Sequence, residues 1–353
     1  MKVLIVTVYN TQNAGSFLQA YALQKVLKDQ GHEVGFLKRE ANGSHSLRVV
    51  LRIALIKALK LHLKQAMKVI RIWCIFEHLV NTYFTIYTLD SDYYSHTDCI
   101  VLGSDTIWNF DKSYFRRFAS MYLGTRFRGK KVISYAASAA NTSAETFKET
   151  VEKCNGLDHL SSILVRDGHT KLLAESITSK DVHLVTDPTL LLTADDFKPL
   201  QVKCELTDPF MLVYYFGRIE KDLETAIIDY AKKKHLKIVS MLYIREWCDL
   251  SIHQAPQNMV TYFSCATAIV TNTFHGCAFS LINDKPFAVH DEGKKKISEF
   301  LSAYHETDRL FSKCTEIEKL LNAPNKVHSS GIYDEICQKS ILLLKDGINN
   351  SNK

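Results

Sequence analysis

Short apolar runs recur along this chain, each closed by glycine, hydroxyl or amide residues and followed by a stretch with helical spacing. Val3–Val8 predicts a first buried strand. Tyr9 to Ser16 is a polar, glycine-containing turn, and Phe17–Gln30 has helical spacing through Leu18, Tyr21, Ala22, Val26 and Leu27. Gly31 ends that helix, and His32–Leu37 predicts a second strand. Further strands are expected at Cys99–Leu102, Lys131–Tyr135, Ser162–Arg166, His183–Thr186, Phe210–Tyr215, Lys237–Met241, Thr267–Val270 and Pro286–Val289. Strands alternating with helices predict an α/β architecture. Pro188 and the run Leu190–Asp196 interrupt the alternation, which suggests an N-terminal domain at about 1–190 and a C-terminal domain at about 200–322. A last helix, Ile332–Leu344, within a C-terminal segment 323–353, is expected to pack back on the body.

One segment departs from this pattern. Between Leu47 and Cys74 the chain carries Arg48, Arg52, Lys57, Lys60, Lys64, Lys68 and Arg71, and the first acidic residue is Glu77. The series Lys57, Lys60, Lys64, Lys68, Arg71 recurs at helical spacing with aliphatic residues between. An amphipathic insertion at about 47–74 follows, suited to an anionic membrane surface. The same pattern also fits a helix whose solvated face is simply basic. No recognition module accompanies the patch, so nucleic acid is not an expected partner.

Bulk composition changes this picture little. Hydrophobic residues make up 46% and charged residues 23% of 353 positions, as in ordinary globular proteins. The nine cysteines form no Cys-x-x-Cys pair and no ligand spacing with histidine, so buried reduced thiols are expected and a metal site is not. The start, Met1 to Val8, turns polar too soon for a signal peptide, and no run reaches the roughly 18 apolar residues of a membrane span. A cytoplasmic protein, peripheral on the inner membrane leaflet if the basic helix docks there, is the expectation.

Candidate chemistry gathers where strands end, the edge at which open α/β sheets bind ligands. Thr271-Asn-Thr-Phe-His-Gly276 joins the strand Cys265–Val270 to the helix expected from Cys277, collecting Asn272, Thr273, His275 and Gly276 at a helix start. Asn13, Gly15 and Ser16 follow the first strand, without the spacing of a dinucleotide site. Gly103-Ser-Asp-Thr-Ile-Trp-Asn109 brings Ser104, Asp105, Trp108 and Asn109 into one turn. Ser138 closes the small-residue strand end Ser134–Ala139, and Arg218 follows Gly217 after the strand from Phe210. Each has a structural reading as well: Thr271 and Thr273 as caps, His275 as a satisfied structural residue, Asp105 as an N-cap, Trp108 as core, Arg218 as half of an ion pair.

The order of Asn13–Leu23, Leu102–Asn109, Ser134–Ser138, Val165-Arg-Asp167, Thr186–Leu191, Thr271–Ser280 and Lys285-Pro-Phe287 resembles the polysaccharide pyruvyl transferase family, from about residue 3 to about residue 300. That resemblance implies two Rossmann-like domains in a GT-B-like arrangement with an interdomain cleft. It implies transfer of pyruvate from phosphoenolpyruvate to a sugar as a ketal, on a glycan acceptor that in many members is lipid-linked. No cofactor is implied beyond phosphoenolpyruvate as donor. His275 matches the family's motif histidine and Arg218 a basic residue after a C-domain strand. Thr106 stands where glutamine is common, Cys277 where threonine is, and Lys294, Lys295 and Lys296 where an arginine is frequent.

A reaction scheme follows. Arg218, the helix start with Asn272, Thr273 and Gly276, and Lys285 would hold the donor's carboxylate and phosphate. His275 would be the acid or a phosphate ligand, and Asp105 the base for a sugar hydroxyl. Asn13, Gly15, Ser16, Ser104, Trp108, Asn109 and Ser138 would face the acceptor. Two alternatives stay open: a nucleotide-sugar glycosyltransferase on the same fold, and a non-catalytic membrane-associated scaffold.

Overall fold

Val3, Leu4 and Ile5 are fully buried, and the strand that holds them, β1 (Lys2–Val6), lies inside a parallel sheet. This computed structural model describes residues 1–38, 51–53, 55–56, 63–127 and 129–349. They form two units, Met1–Leu191 with Gln338–Lys353, and Leu192–Cys337.

In unit 1 the strands are β1, β2 (Glu33–Leu37), β3 (Ile86–Tyr87), β4 (Cys99–Leu102), β5 (Lys131–Ala137), β6 (Ser162–Val165) and β7 (Val182–Leu184). They pair in the order β3-β2-β1-β4-β5-β6-β7. Every pairing is parallel, which explains the near-continuous apolar runs: strands covered on both faces have no polar side to show. Unit 2 repeats the plan with β8 (Phe210–Tyr214), β9 (Lys237–Met241), β10 (Leu250–Ile252), β11 (Ala268–Thr271), β12 (Phe287–His290) and β13 (Leu310–Phe311). Its order is β10-β9-β8-β11-β12-β13. Both units are Rossmann-like: the first strand lies between the second and the fourth, so the winding reverses at β1/β4 and at β8/β11.

All ten expected strands are present, with ends shifted by a few residues. The strands not expected, β3, β10 and β13, lie at sheet edges.

The helices that matter for the site start at strand ends. The first, α1 (Ala14–Asp29), begins three residues earlier than its periodicity suggests, because Asn13 caps it by accepting from the Gly15 N–H at 2.9 Å. Next, α2 (Leu63–Tyr83) buries Phe76, Leu79 and Val80 and leaves Met67, Ile70 and Arg71 exposed. The expected basic stripe is only partly described. Lys57 and Lys60 lie outside the described residues, as do the side chains of Lys64 and Lys68. After β5 comes α3 (Ala144–Cys154), and after β6 comes α4 (Gly168–Glu175), capped by Asp167. Unit 2 supplies α5 (Lys221–Lys233), α6 (Pro256–Cys265), α7 (Phe274–Ile282) and α8 (Lys295–Ala303). The last helix, α9 (Ile332–Asn349), joins unit 1 from Gln338 onward, where the Ser340 hydroxyl accepts from the Thr186 N–H at 3.0 Å. No helix among the described residues is long and apolar enough to cross a membrane.

All nine cysteines are free thiols, but only Cys99, Cys277 and Cys337 are buried, fewer than their apolar settings suggest. Burial pushes the Cys99 and Cys337 thiols up to about 12, which keeps them protonated.

Candidate active site

In each unit the reversal of strand order coincides with a polar side chain that bridges the two diverging strands. In unit 1, Ser16 on α1 donates to Asp105 Oδ2 at 2.8 Å, linking the segments that follow β1 and β4. Asp105 Oδ1 accepts from the Thr106 N–H at 2.7 Å and lies 3.9 Å from Arg166 Nη2. Only 14% of the Asp105 side chain is exposed, and its backbone is held at φ 76°. Arg166, at the end of β6, donates from Nη1 to Asp187 Oδ2 at 2.8 Å; the two side chains are 3% and 0% exposed. Burial alone would favour neutral Arg166, but the charges of Asp187, Asp105 and Asp167 outweigh it and raise its affinity for the proton. Burial also pushes the Asp167 carboxyl up. Hydrogen bonds from Ser138 and Thr170, with the nearby Arg166 charge, overcome that and hold it below the usual carboxylate range.

Several residues expected to face an acceptor are instead consumed by the fold. Ser104 is fully buried; its hydroxyl donates to Gln19 Oε1, and its carbonyl accepts from Thr7 Oγ1 at 2.8 Å. The Gln19 amide also donates to Val8 O and Ser16 O, so it fills the crevice between β1 and β4. Trp108 is fully buried, with Nε1 donating to Tyr122 O at 2.9 Å and its ring 6.1 Å from that of Phe147. Ser138 is buried too, and its hydroxyl accepts from the Ala140 N–H. Gly15 sits in the first turn of α1, buried, rather than in an open turn. Asn13 is exposed and Asn109 half-buried. At Ser138 the cause is local: a small polar residue just past a strand end first satisfies the backbone that turns there.

In unit 2, α7 starts at Phe274, so His275 lies inside its first turn and Thr273 is the N-cap, accepting from the Gly276 N–H at 2.9 Å. His275 is half-buried. Asn272 is fully buried and its amide is spent on neighbouring groups. Its Oδ1 accepts from the Phe216 N–H at 2.8 Å, and its Nδ2 donates to Phe216 O at 2.9 Å and Glu292 Oε1 at 2.9 Å. Asn272 therefore positions the helix start, with its amide oxygen and both amide N–H groups engaged. Gly276 is required by packing: a Cβ there would lie 2.0 Å from Thr271 Oγ1. Arg218 is exposed, two residues past Phe216. Lys285 precedes β12 and lies at the far edge of the sheet from His275. The nine-residue α7 spans about 13 Å between them at 1.5 Å per residue. It is separated from the helix start by the body of the unit, so the donor-anion role expected for it is withdrawn.

A cation at the same edge as His275 is Lys294, past the end of β12, which bonds Glu292 Oε2 at 2.5 Å and Asn272 O at 3.1 Å. Glu292 Oε1 also accepts from Tyr215 Oη at 2.8 Å, and Tyr215 Oη lies 2.6 Å from His290 Nδ1. Burial pushes the Glu292 carboxyl up, but Lys294, Asn272 and Tyr215 together hold it below its ordinary value. Arg245 spans the adjoining loop, donating to Tyr215 O at 3.2 Å and Gly217 O at 2.9 Å. Tyr215, Arg245, His290 and Glu292 were not foreseen. His290 and Glu292 follow the end of the expected strand Pro286–Val289, so the strand-end rule applied to that strand would have found them.

The profile of the Polysaccharide pyruvyl transferase family matches residues 13–290. No curated protein matches the chain. Among solved structures, a Listeria monocytogenes protein assigned as a UDP-N-acetylglucosamine 2-epimerase aligns with TM-score 0.53 and 12% identity, covering 99% of this chain and 97% of that one. The UDP-GlcNAc 2-epimerase from Methanocaldococcus jannaschii aligns with TM-score 0.51 and 12% identity, covering 92% and 94%. At such identities these two show a shared two-Rossmann-domain fold and nothing finer. The family profile spans the Ser16–Asp105 bridge, the Arg166–Asp187 pair and the capped start of α7, and it shows that this chain is a transferase belonging to the polysaccharide pyruvyl transferase family.

Proposed function

We propose that this transferase moves pyruvate from phosphoenolpyruvate to two hydroxyls of one sugar in a polysaccharide, forming a ketal. The observation that carries the reading is His275 in the first turn of α7, within the matched family segment and beside the β8/β11 reversal. Phosphoenolpyruvate has a carboxylate and a phosphate. The positive end of the α7 dipole, with Arg218 and Lys294, is suited to hold them. The enol methylene gains a proton, which makes C2 electrophilic. Two C–O bonds to the sugar form at C2 while the bond to phosphate oxygen breaks. One hydroxyl proton offsets that delivered to the methylene, and the other leaves with phosphate or to solvent. His275 serves as the acid or as a hydrogen-bond partner of the departing phosphate. Asp105, with Oδ1 3.9 Å from Arg166 Nη2, is the base for an acceptor hydroxyl.

The acceptor we propose is a lipid-linked glycan, met at an anionic membrane surface. Leu51, Ile53, Leu55, Ile56, Met67 and Ile70 are exposed apolar residues in the same stretch of sequence as Arg52 and Arg71. Apolar side chains in solvent among cations suit shallow insertion at a lipid headgroup layer.

Calorimetric titration with phosphoenolpyruvate, UDP-sugars and GDP-sugars tests the donor, with His275→Ala and Arg218→Ala in parallel. Binding of phosphoenolpyruvate that weakens in either variant is expected. Binding of a nucleotide sugar in its place would reassign the chain as a glycosyltransferase.

A further inference from the structure

We infer that Glu292 and Tyr215 form a relay that holds His290 as the Nδ1–H tautomer, making its Nε2 a second proton-accepting atom at the strand-end edge of unit 2. As a role in turnover this rests on the pyruvyl-transfer reading; as a statement about the imidazole it does not.

Glu292 Oε1 is a carboxylate oxygen that accepts from Asn272 Nδ2 at 2.9 Å and lies 2.8 Å from Tyr215 Oη, while Oε2 takes Lys294 Nζ. A carboxylate held by three donors stays ionised, so the single hydroxyl proton of Tyr215 points to it. The Tyr215 oxygen then faces His290 Nδ1 at 2.6 Å with only lone pairs to offer. Nδ1 must therefore donate, in the neutral ring and in the charged ring alike. In the neutral ring the lone pair is left on Nε2. The opposite tautomer would set two lone pairs against each other across 2.6 Å, or strip Glu292 of a donor.

The surroundings are built to keep this arrangement. The register of β11 pairs Thr271 with Tyr214 on one side and with Val289 on the other, so Tyr215, Asn272 and His290 leave three adjacent strands at one level. Phe311 of β13 lies 5.2 Å from the His290 ring, and the Tyr215 ring lies 5.9 Å away. The charged groups around the relay include Asp291, Glu292 and Lys294 after β12, and Arg245, whose guanidinium lies 5.9 Å from the Tyr215 ring. With 23% of its side chain exposed, His290 still reaches solvent.

In turnover, Nε2 takes a proton from an incoming hydroxyl as its oxygen bonds to carbon, and returns it to the departing phosphate or to solvent. The imidazolium so formed is balanced by Glu292 through Tyr215, whose own proton stays in place. A carboxylate orienting an imidazole has the same logic in hydrolytic triads and metal sites.

Long-range proton–nitrogen correlation spectra of the histidine-labelled full chain decide the matter, with the His290 signals assigned from their loss in His290→Gln. Wild type should show a protonated Nδ1 and an unprotonated Nε2. Tyr215→Phe and Glu292→Gln should each release the ring to mixed tautomers, while His275→Ala leaves it unchanged. Release of phosphate from phosphoenolpyruvate should fall at least tenfold in His290→Gln with donor affinity retained. A wild-type ring protonated on Nε2, a tautomer indifferent to both relay variants, or full turnover in His290→Gln would each overturn the inference. If wild type binds no phosphoenolpyruvate yet shows the Nδ1–H form, the relay stands and only the donor assignment fails.

Discussion

The Ser16 hydroxyl and the Asp105 carboxylate meet at 2.8 Å across 89 positions of sequence. Each follows a different central strand of unit 1, one after β1 and one after β4, where the winding of the sheet reverses. Asp105 is thereby steered from one side by a serine and from the other by Arg166, itself anchored on buried Asp187.

Removing the imidazole of His275 should abolish chemistry and leave the fold intact. His275→Ala is expected to lower turnover about 10²–10⁴-fold, the usual contribution of a positioned acid or base. Its thermal midpoint should match wild type. Full activity in that variant would remove His275 from the mechanism.

Gly276 tests packing one residue further on. In Gly276→Ala the new Cβ meets Thr271 Oγ1 at 2.0 Å and Thr273 Oγ1 at 2.7 Å. A loss of about 1–3 kcal/mol in urea unfolding is expected, as for other overpacked sites. Wild-type stability would mean that the start of α7 yields more readily than its hydrogen bonds suggest.

Acid should act through Asp167. Its folded carboxyl titrates below its ordinary value of 3.8, so its stabilising contribution is complete above about pH 4 and is lost as pH falls through the folded value. Unfolding free energy should drop below about pH 4. Asp167→Asn should be less stable at pH 7 and show a shallower acid drop; an unchanged acid limb would place the pH dependence elsewhere.

The membrane reading is tested on the basic stripe. Replacing Lys57, Lys60, Lys64 and Lys68 by glutamine should weaken sedimentation with anionic vesicles by roughly two to three orders of magnitude, at about 1 kcal/mol per cation. Neutral vesicles should bind neither form. Undiminished binding to anionic vesicles would end the peripheral-membrane proposal.

The strands that could be read from sequence, such as Phe210–Tyr214 and Cys99–Leu102, are wholly buried apolar runs. Ile86–Tyr87 and Leu310–Phe311 escaped notice because a two-residue edge strand leaves no run to detect. The strand-end rule located Asp105 and His275 correctly in the topology. It could not separate residues that face outward from residues such as Ser104, Trp108 and Asn272, whose polar groups are used by partners far away in sequence. Phe216, for instance, is 56 positions from the Asn272 amide that it pairs with. Nor could it bring Tyr215 to Glu292, 77 positions apart, since that meeting depends on which strands are neighbours.

The Asn272 amide pairs with both backbone polar groups of Phe216 as a further peptide would, adding a rung to the β8/β11 ladder beyond the last strand residue. The rim of the sheet is consequently braced up to that rung, and two glycines follow just above it. There Gly217 and Gly293 adopt φ of +91° and +70° with open space around them, and each immediately precedes a cation, Arg218 and Lys294. Of these two charges, Lys294 is tied back to the frame through Glu292 Oε2 and the Asn272 carbonyl, so the amide that extends the ladder also fixes where one cation of the rim sits.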